Sequence, residues 1–439
     1  MIPARVRQYL DSRPLPRPWE IAGVEGNHYA GAVVIPALAE NDCLFATLAS
    51  LDRNPPDSLS RFLVVVVVNN RQDCPAADRE NNGSTLTRLA AGDPSWKNLR
   101  LGWVDASSPG WELPAKGGGV GLSRKIGLDL ALPRLRYDAA GPFLICLDAD
   151  TLVRPDYLPA LTRHFQAGGI AGAVIPFCHP PDGTAAGDQA IERYELFLRA
   201  YVLGLSRANS PYAFHSVGSA MACSAESYAR IGGMNLRLAA EDFYFLQQLA
   251  KTGGISQVKG TVVRPSPRLS HRVPFGTGRS VSRLLAGEEK AVLFYRRECF
   301  QVLQGWLALV GQSWERSEGE IQAGAAAISS HLADYLEAIE FTAVWIKLKR
   351  NFRERARRID GFHGWFDGLK TMKLIHFLSD GPWPRGNPER LVEDLLQWSG
   401  LPPETIPRRQ LALLRRMQIG EACSSCGLRN GECGREQTG

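Results

Sequence analysis

Two aspartates, Asp148 and Asp150, follow directly after the apolar run at residues 143–147. Such a run predicts a buried strand, and open α/β sheets bind their ligands beyond the carboxyl ends of their strands. Mg²⁺ prefers oxygen ligands and commonly combines one or two carboxylates with substrate phosphates. The pair therefore suggests a metal that holds a diphosphate. The alternative is a chance Asp-x-Asp, because aspartate is also a common turn former and helix N-cap.

A second pair of acids, Glu241 and Asp242, opens an amphipathic helical pattern after Gly232 and Gly233. Acids at this position are often only caps that interact with the helix dipole. The glycines allow a sharp turn, which could direct both carboxylates into a crevice instead. These residues alone leave both interpretations open.

Two glycine-containing segments could approach an anion closely. Gly218 starts a run of small residues between a loop and a short helix, which is a weak signal by itself. The glycine-rich loop at residues 116–121 opens a helix with Arg124 and Lys125 near its start, and helix N-termini bind anions. This loop lacks the GxxxxGK[ST] order of a P-loop.

His271 lies in a segment too rich in glycine, proline and arginine for a regular element. A lone histidine is more often a surface or core residue than a ligand. Its neighbours Arg268, Arg272 and Arg279 suggest a loop that meets an anion, because guanidinium binds phosphate through two parallel hydrogen bonds.

Strands and helices alternate in the part of the chain that must position these side chains. The pattern predicts strands at 32–36, 62–68, 99–104, 143–147 and 170–177, and helices at 84–91, 122–132 and 191–205. Such alternation predicts an α/β fold with a mostly parallel central sheet and flanking helices. A dinucleotide-binding domain is disfavoured, because no GxGxxG follows a strand near the N-terminus.

The length of 439 residues predicts two structural units. Helical patterns such as 331–359, without convincing strands, predict an α-helical C-terminal unit. The predicted organisation is an N-terminal extension at 1–29, the α/β domain at 30–282, the helical domain at 283–420 and a cysteine-containing tail at 421–439. Residues 347–358 carry seven basic side chains and one glutamate. We favour a charged helix surface there over a patch that binds a membrane or an acceptor.

Charge and hydropathy limit the partners and the location. A formal net charge of +6 does not indicate nucleic acid and equally suits anionic phosphates. The absence of a long apolar run, the charged start and the scattered cysteines predict a cytoplasmic protein with reduced thiols. Cys423, Cys426 and Cys433 form either a metal site or an exposed thiol cluster, although a structural zinc site takes four ligands.

Taken in order, several short motifs resemble those of the family 2 glycosyltransferases of the GT-A fold. They are IPALAEND, a strand ending near Asn69, GVGLSRKIGLDLAL, LDAD, GSAM with GGM, AED and a later histidine. The resemblance covers about residues 30–280. It implies a GT-A Rossmann-like domain that transfers a sugar, most readily a hexose, from a nucleotide-sugar donor with the help of Mg²⁺ or Mn²⁺.

The resemblance also implies roles for individual residues. Asp150 and His271 would hold the metal, and Asp242, in the position of the xED aspartate, would be the catalytic base. The residues assigned to donor binding are Pro36, Glu40, Asn69, Arg124, Asp148, Gly218 and Glu241. The family often has an aspartate where this chain has Asn69, so the base of the donor stays open.

The resemblance further implies the type of transfer. The QxxRW signature of processive synthases is absent, which predicts a non-processive transfer. The roles implied by the resemblance, with Asp242 as the base, predict an inverting transfer to a hydroxyl acceptor. A glycan, a lipid-linked molecule or a small molecule could be that acceptor, with peripheral contact at the inner membrane face and no nucleic acid partner. The alternatives are a retaining transferase, a nucleotidyltransferase and a non-catalytic nucleotide-sugar binding scaffold.

Overall fold

The computed structural model describes residues 1–138, 141–268, 276–312 and 315–420. Within these ranges the strands are β1 Gly31–Ala37, β2 Phe62–Asn69, β3 Arg100–Ala106, β4 Phe143–Cys146, β5 Thr151–Leu152, β6 Gly172–Val174, β7 Met221–Ser224, β8 Ile255–Gln257 and β9 Arg264–Pro265. The strands predicted near the N-terminus are therefore present with small shifts at their ends. The strand predicted at 170–177 is shorter, because its partners β7 and β8 are themselves short.

The central sheet has seven strands in the order β3-β2-β1-β4-β7-β6-β8. Strands β1 to β4 pair in parallel, β7 is antiparallel to both of its neighbours, and β8 is parallel to β6. A separate two-stranded antiparallel sheet joins β5 to β9. The predicted α/β fold with a mostly parallel central sheet is confirmed.

Strand β2 shows why the sheet is buried on both faces. Val64 and Val66 face one hydrophobic core, whereas Val65 and Val67 face the core on the opposite side. Because successive side chains of a strand point to opposite faces, a continuous valine run can satisfy two cores at once.

Helices from the first part of the chain cover these two faces of the sheet. They are α1 Ala4–Ser12, α2 Leu44–Asp52, α3 Pro56–Leu59, α4 Ala76–Ala91, α5 Val120–Ala131, α6 Tyr157–Gln166, α7 Ala185–Arg207, α8 Ala225–Arg230 and α9 Glu241–Gly253. The predicted helices at 84–91 and 191–205 are parts of the longer α4 and α7.

The described residues after β9 form helices and contribute no further strand. They are α10 Thr277–Leu285, α11 Arg297–Gln312, α12 Glu318–Ile328, α13 Ser330–Ala338, α14 Phe341–Asn351, α15 Arg355–Trp365, α16 Gly368–Asp380, α17 Pro388–Trp398 and α18 Pro407–Ile419. The predicted α-helical C-terminal region is confirmed. Among the described helices, none combines the length and apolarity needed to cross a membrane.

The helical region has its own hydrophobic core around the buried Trp306 and Phe362. Leu196 and Leu203 of α7 belong to the same core, so α7 connects this region to the sheet domain. The long helical pattern at 331–359 is divided into α13, α14 and α15. Glu340 is left-handed with φ of 53°, a conformation that cannot continue a right-handed helix.

Candidate active site

The candidate site lies at one edge of the central sheet, where β1, β2 and β4 end. The loops beyond these ends carry Glu40, Asn70 and Asp148. Strand β7 runs the other way, and its first residue Met221 pairs with the last residue of β4, Cys146. The start of β7 therefore lies at the carboxyl edge of β4, which brings the preceding glycine-containing segment to the same place.

Arg124 connects the first acid of LDAD to the first acid of AED. Its side chain is buried on α5, with Nη2 at 2.5 Å from Asp148 Oδ1 and Nη1 donating to Glu241 Oε1. Burying a charge is costly unless it is paired, and here one buried guanidinium pairs with two carboxylates. Three of the predicted donor-binding residues thus form one ion-paired cluster.

Arg268 connects the second acid of LDAD to the loop after β1. Its Nε lies 2.7 Å from Asp150 Oδ2, and its Nη2 donates to Glu40 Oε1. Burial and the negative charge of Asp148 raise the pKa of Asp150 to about 6, against the opposing effect of Arg268. The charge of Asp148 therefore disfavours ionisation of Asp150.

Asp242 lies in the first turn of α9, after a sharp turn. The predicted turn is present, with φ of 83° at Gly232 and 79° at Gly233, and Ala240 directly before the acids is also left-handed, with φ of 58°. Such a conformation is unfavourable for alanine and is retained only where the surroundings impose it. The Asn235 side chain contributes by donating to the backbone carbonyl of Glu241 at 2.8 Å.

The electrostatic surroundings of Asp242 suit a general base. Burial and the charge of Glu241 raise its pKa to about 7, against the opposing effect of Arg124. Asp242 Oδ1 accepts a hydrogen bond from the Phe243 amide at 2.7 Å, which fixes the carboxylate at the helix start. A carboxyl group with a pKa near 7 can accept a proton at neutral pH more readily than an ordinary aspartate.

An asparagine network shapes the loops after β1 and β2. Asn82 of α4 donates to the Asn69 carbonyl at 3.0 Å and to Asn70 Oδ1 at 2.8 Å, and it accepts from the Ala39 amide at 2.9 Å. The Asn69 side chain donates to the backbone carbonyls of Ala37 and Val67. Sequence patterns did not single out Asn82, because a polar residue in a helix looks like a solvent-exposed one.

The glycine-rich loop packs against the segment that precedes α9. A Cβ atom at Gly121 would lie 2.5 Å from the Asn235 carbonyl oxygen and 2.8 Å from that of Arg237, and one at Gly119 would lie 3.0 Å from the Leu238 side chain. Only glycine allows this close approach. These glycines therefore hold the start of α5, with Arg124, against the turn that leads to Glu241.

Gly218 is tightly packed against Arg124, which leads to a testable prediction. A Cβ atom at this position would lie 2.5 Å from Arg124 Nη2, and the guanidinium cannot move without disturbing its two ion pairs. We expect Gly218→Ala to lower kcat/KM by about 10- to 100-fold, since small misplacements of positioning groups have effects of this order. Steady-state kinetics would measure it.

Gly83→Ala is the matched control. This glycine lies in α4 with no atom within 4 Å of its Cβ position, and alanine favours helices. Unchanged kinetics in both variants would contradict the positioning role of the contact between Gly218 and Arg124.

Lys125 does not join the site, although the sequence placed it beside Arg124 as an anion-binding residue. It is buried on the other side of α5, with Nζ at 2.5 Å from Asp129 Oδ2 and 2.6 Å from Tyr9 Oη. Tyr9 and Tyr228 also donate to Asp129. Neighbouring helix residues point about 100° apart, so one of the two basic side chains faces the sheet edge and the other faces α1.

Other predicted residues have different outcomes. Pro36 lies in β1 and is in register with Val67, close to the end of the strand. His271 lies outside the described residues, as do the three cysteines of the tail. Sequence patterns did not single out Tyr194 of α7, which interacts electrostatically with Asp242. Burial and the charge of Asp242 raise the pKa of Tyr194 to about 12, and a hydrogen bond with Thr277 opposes this shift.

The acids at this edge of the sheet can be compared with the ligands that a divalent cation prefers. Among the residues that the structure describes, no three histidine, cysteine or acidic side chains are arranged to form a metal-binding group. The negative charge of Asp148 nevertheless contributes to the raised pKa of Asp150, which places both carboxylates in the same part of the site. Two carboxylates are sufficient for a cation such as Mg²⁺, which takes its other ligands from water and phosphate oxygens. The pair therefore fits a cation that binds together with phosphates.

The fold and the site define an α/β protein with paired arginines and acids at the carboxyl edge of its sheet. No protein-family model and no curated protein matches the chain. The crystal structure of S. aureus TarS 1–349 is similar to it, with 15% identity, a TM-score of 0.37, and coverage of 81% of this chain and 93% of that chain.

Two further solved structures are similar to this chain. The mannosyltransferase PcManGT from Pyrobaculum calidifontis, in complex with GDP-Man and Mn²⁺, has 17% identity and a TM-score of 0.36, covering 83% of this chain and 93% of that chain. The M. tuberculosis glucosyl-3-phosphoglycerate synthase has 15% identity and a TM-score of 0.30, covering 61% of this chain and 81% of that chain. All three are distant similarities.

Proposed function

We propose that this chain is a glycosyltransferase that moves a sugar from a nucleotide-sugar donor to a hydroxyl acceptor. The observation that carries the proposal is the convergence of Arg124, Asp148, Glu241 and Asp242 at one sheet edge. These residues come from motifs that resemble the family 2 glycosyltransferases, and the ion pairs join motifs far apart in the chain. The arrangement combines donor-binding groups with a neighbouring base.

In the proposed reaction, Asp242 accepts the proton of the acceptor hydroxyl while that oxygen forms a bond to the anomeric carbon of the donor sugar. The bond between this carbon and the diphosphate oxygen breaks, and its electron pair leaves with the nucleoside diphosphate. Attack from the face opposite the leaving group inverts the anomeric configuration. The raised pKa of Asp242 supports this assignment, because the base must hold a proton after the transfer.

The donor would be bound by the loops around Pro36, Glu40 and Asn69, with Arg124 orienting Asp148 and Glu241. Asp150, together with His271 as the resemblance implies, would hold Mg²⁺ or Mn²⁺. When bound, such a cation supplies positive charge that stabilises a diphosphate leaving group. Asp150 is proposed as the metal ligand and Asp148 as the donor contact.

The alternatives have weaker support. A nucleotidyltransferase would need a basic glycine-rich loop directly after the first strand, whereas the loop after β1 contains Glu40 and Asp42. A non-catalytic binding scaffold would not need a carboxyl group with a pKa near 7 beside the donor-binding cluster. We further propose that transfer is non-processive, because the QxxRW signature is absent.

The acceptor class and the location remain proposals from the sequence. Exposed basic side chains at Lys347, Arg350 and Arg353 support contact with an anionic surface, such as the inner face of a membrane. A charged helix surface is still the favoured interpretation of this segment. A cytoplasmic location and the organisation into domains ending at 29, 282 and 420 also stay predictions.

A thermal-shift screen tests the proposed function directly. Uridine, guanosine, adenosine and thymidine diphosphates and their sugar derivatives would be added with and without Mn²⁺. A ligand at 100 times its Kd should stabilise the protein by about 2.7 kcal/mol, so a donor nucleotide should raise the melting temperature and do so more strongly with the metal. No stabilisation by any of them would contradict the proposal.

Turnover distinguishes an enzyme from a binding scaffold. Slow hydrolysis of the identified nucleotide sugar with Mn²⁺ would support catalysis, whereas binding without hydrolysis or transfer would favour the scaffold. Nuclear magnetic resonance of the first-formed product would then assign its anomeric configuration and separate inversion from retention.

A further inference from the structure

Arg268 occupies a particular position among the site residues, because it bridges two acids from separate loops. Its guanidinium donates to Asp150, the residue proposed to hold the metal, and to Glu40, from the loop after β1. The side chain thus places a positive charge against the carboxylate that a divalent cation would bind. A guanidinium has no acceptor atoms, so it can compete with a metal for this oxygen but cannot assist in binding it.

The pair between Arg268 and Asp150 differs from the one formed by Arg124. The Arg124 side chain is 3% exposed, whereas the Arg268 side chain is 31% exposed and covers the more buried Glu40 and Asp150. A partly exposed ion pair contributes little free energy, and its outer member can move into solvent without opening a core. Arg124 is therefore held in place by burial, whereas Arg268 can exchange its carboxylate partner for solvent or another anion.

The backbone keeps Arg268 close to Asp150 even if the ion pair breaks. Strand β9 pairs with β5, so that Pro265 is in register with Thr151, and the Ser266 amide donates to the Asp150 carbonyl at 3.2 Å. Only one residue, Pro267, separates Ser266 from Arg268. A guanidinium released from Asp150 would therefore stay beside the site, where a diphosphate could accept its hydrogen bonds.

We propose that Arg268 and the divalent cation compete for Asp150, so that the free protein binds the metal weakly and takes it up together with the donor diphosphate. This inference rests on the proposed function. The diphosphate promotes the exchange in two ways, because its oxygens complete the coordination of the metal and offer the displaced guanidinium a new partner. Arg268 is thereby a positioning residue that couples metal binding to donor binding.

Titration of Mn²⁺, followed by electron paramagnetic resonance of the free ion, tests this competition without any turnover. In the absence of nucleotide, Arg268→Gln should bind Mn²⁺ about tenfold more tightly than wild type, and Arg268→Lys should lie between them. Uridine or guanosine diphosphate, whichever stabilises the wild type, should increase Mn²⁺ affinity more in the wild type than in Arg268→Gln.

Two controls make the test specific. Arg283→Gln removes an arginine of α10 that pairs with Glu288 at the surface, and it should leave Mn²⁺ affinity unchanged. Asp150→Asn, added to Arg268→Gln, should abolish the gained Mn²⁺ binding and so locate it at the proposed site. Both controls measure Mn²⁺ binding to the full-length protein.

The outcomes separate this proposal from the one on which it rests. Equal Mn²⁺ affinity of wild type and Arg268→Gln, with nucleotide-dependent Mn²⁺ binding in both, would overturn the competition and leave the proposed function standing. Binding of Mn²⁺ by neither protein, with or without a nucleoside diphosphate, would overturn both.

Discussion

Replacement of Asp242 by asparagine should lower kcat by about 10²- to 10⁴-fold, because general-base assistance commonly contributes a factor of this size. Asparagine has nearly the same shape and can still accept the hydrogen bond that the Phe243 amide donates to Asp242. The change therefore removes the proton acceptor while the start of α9 keeps its structure. Nucleoside diphosphate binding, measured by thermal shift, should stay close to that of the wild type.

The pH profile provides an independent measure of the same residue. Burial and the neighbouring Glu241 raise the pKa of Asp242 to about 7, and only the deprotonated form can act as a base. Activity should therefore rise with pH, with kcat/KM of the wild type half-maximal near pH 7. Asp242→Asn should lose this dependence, because its side chain does not titrate.

Asp380→Asn is the control for the substitution itself, since Asp380 is exposed on the C-terminal helices and pairs with Arg385. Stability supplies a further check. The pKa of Asp242 is higher in the folded protein than in the unfolded chain, so the folded protein loses more stability than it gains when this carboxyl ionises. The free energy of unfolding of the wild type should therefore fall as the pH rises. Asp242→Asn should thus be at least as stable as wild type at pH 8. Wild-type turnover in this variant would show that another group is the base.

Replacement of Asp150 by asparagine should remove the metal-dependent part of donor binding and lower kcat/KM by about 10²- to 10³-fold, as expected when one electrostatic contact to developing charge is lost. A neutral amide is a much weaker ligand for a hard cation than a carboxylate. Thermal shifts with nucleoside diphosphate, with and without Mn²⁺, would measure the first effect.

Asp148→Asn is the informative comparison for this prediction. Asp148 is proposed as a donor contact, so its replacement should weaken nucleotide binding both with and without Mn²⁺. Asp150→Asn should weaken nucleotide binding only when Mn²⁺ is present. The same response of the two variants would contradict the separate roles, and full Mn²⁺-dependent stabilisation of Asp150→Asn would show that Asp150 is not the metal ligand.

Much of the fold could be predicted because its signals are local. The valine run of β2 has no polar position, which is typical of a strand covered on both faces, and the strand lies inside the sheet between β3 and β1. The break at Glu340 and the short length of β6 could not be predicted. The former depends on a single backbone conformation, and the latter on the lengths of the neighbouring strands.

The ion pairs of the site are not local. Arg124 lies 24 residues from Asp148 and 117 from Glu241, and Arg268 lies 118 residues from Asp150 and 228 from Glu40. Their meeting depends on the strand order and on the reversed direction of β7. No pattern within a helix or strand contains this information, because it concerns which elements become neighbours.

The sequence by itself determined that acids follow buried strands and that short motifs occur in a particular order, since an apolar run that stops at a carboxylate is a property of neighbouring residues. Only the tertiary structure decided which cation pairs with which acid. It directs Arg124 to the sheet edge and Lys125 to Asp129, although the two are adjacent in the chain, because a helix turns successive side chains toward different surroundings. The same packing partly buries Asp242 and raises its pKa, which composition and spacing could not predict.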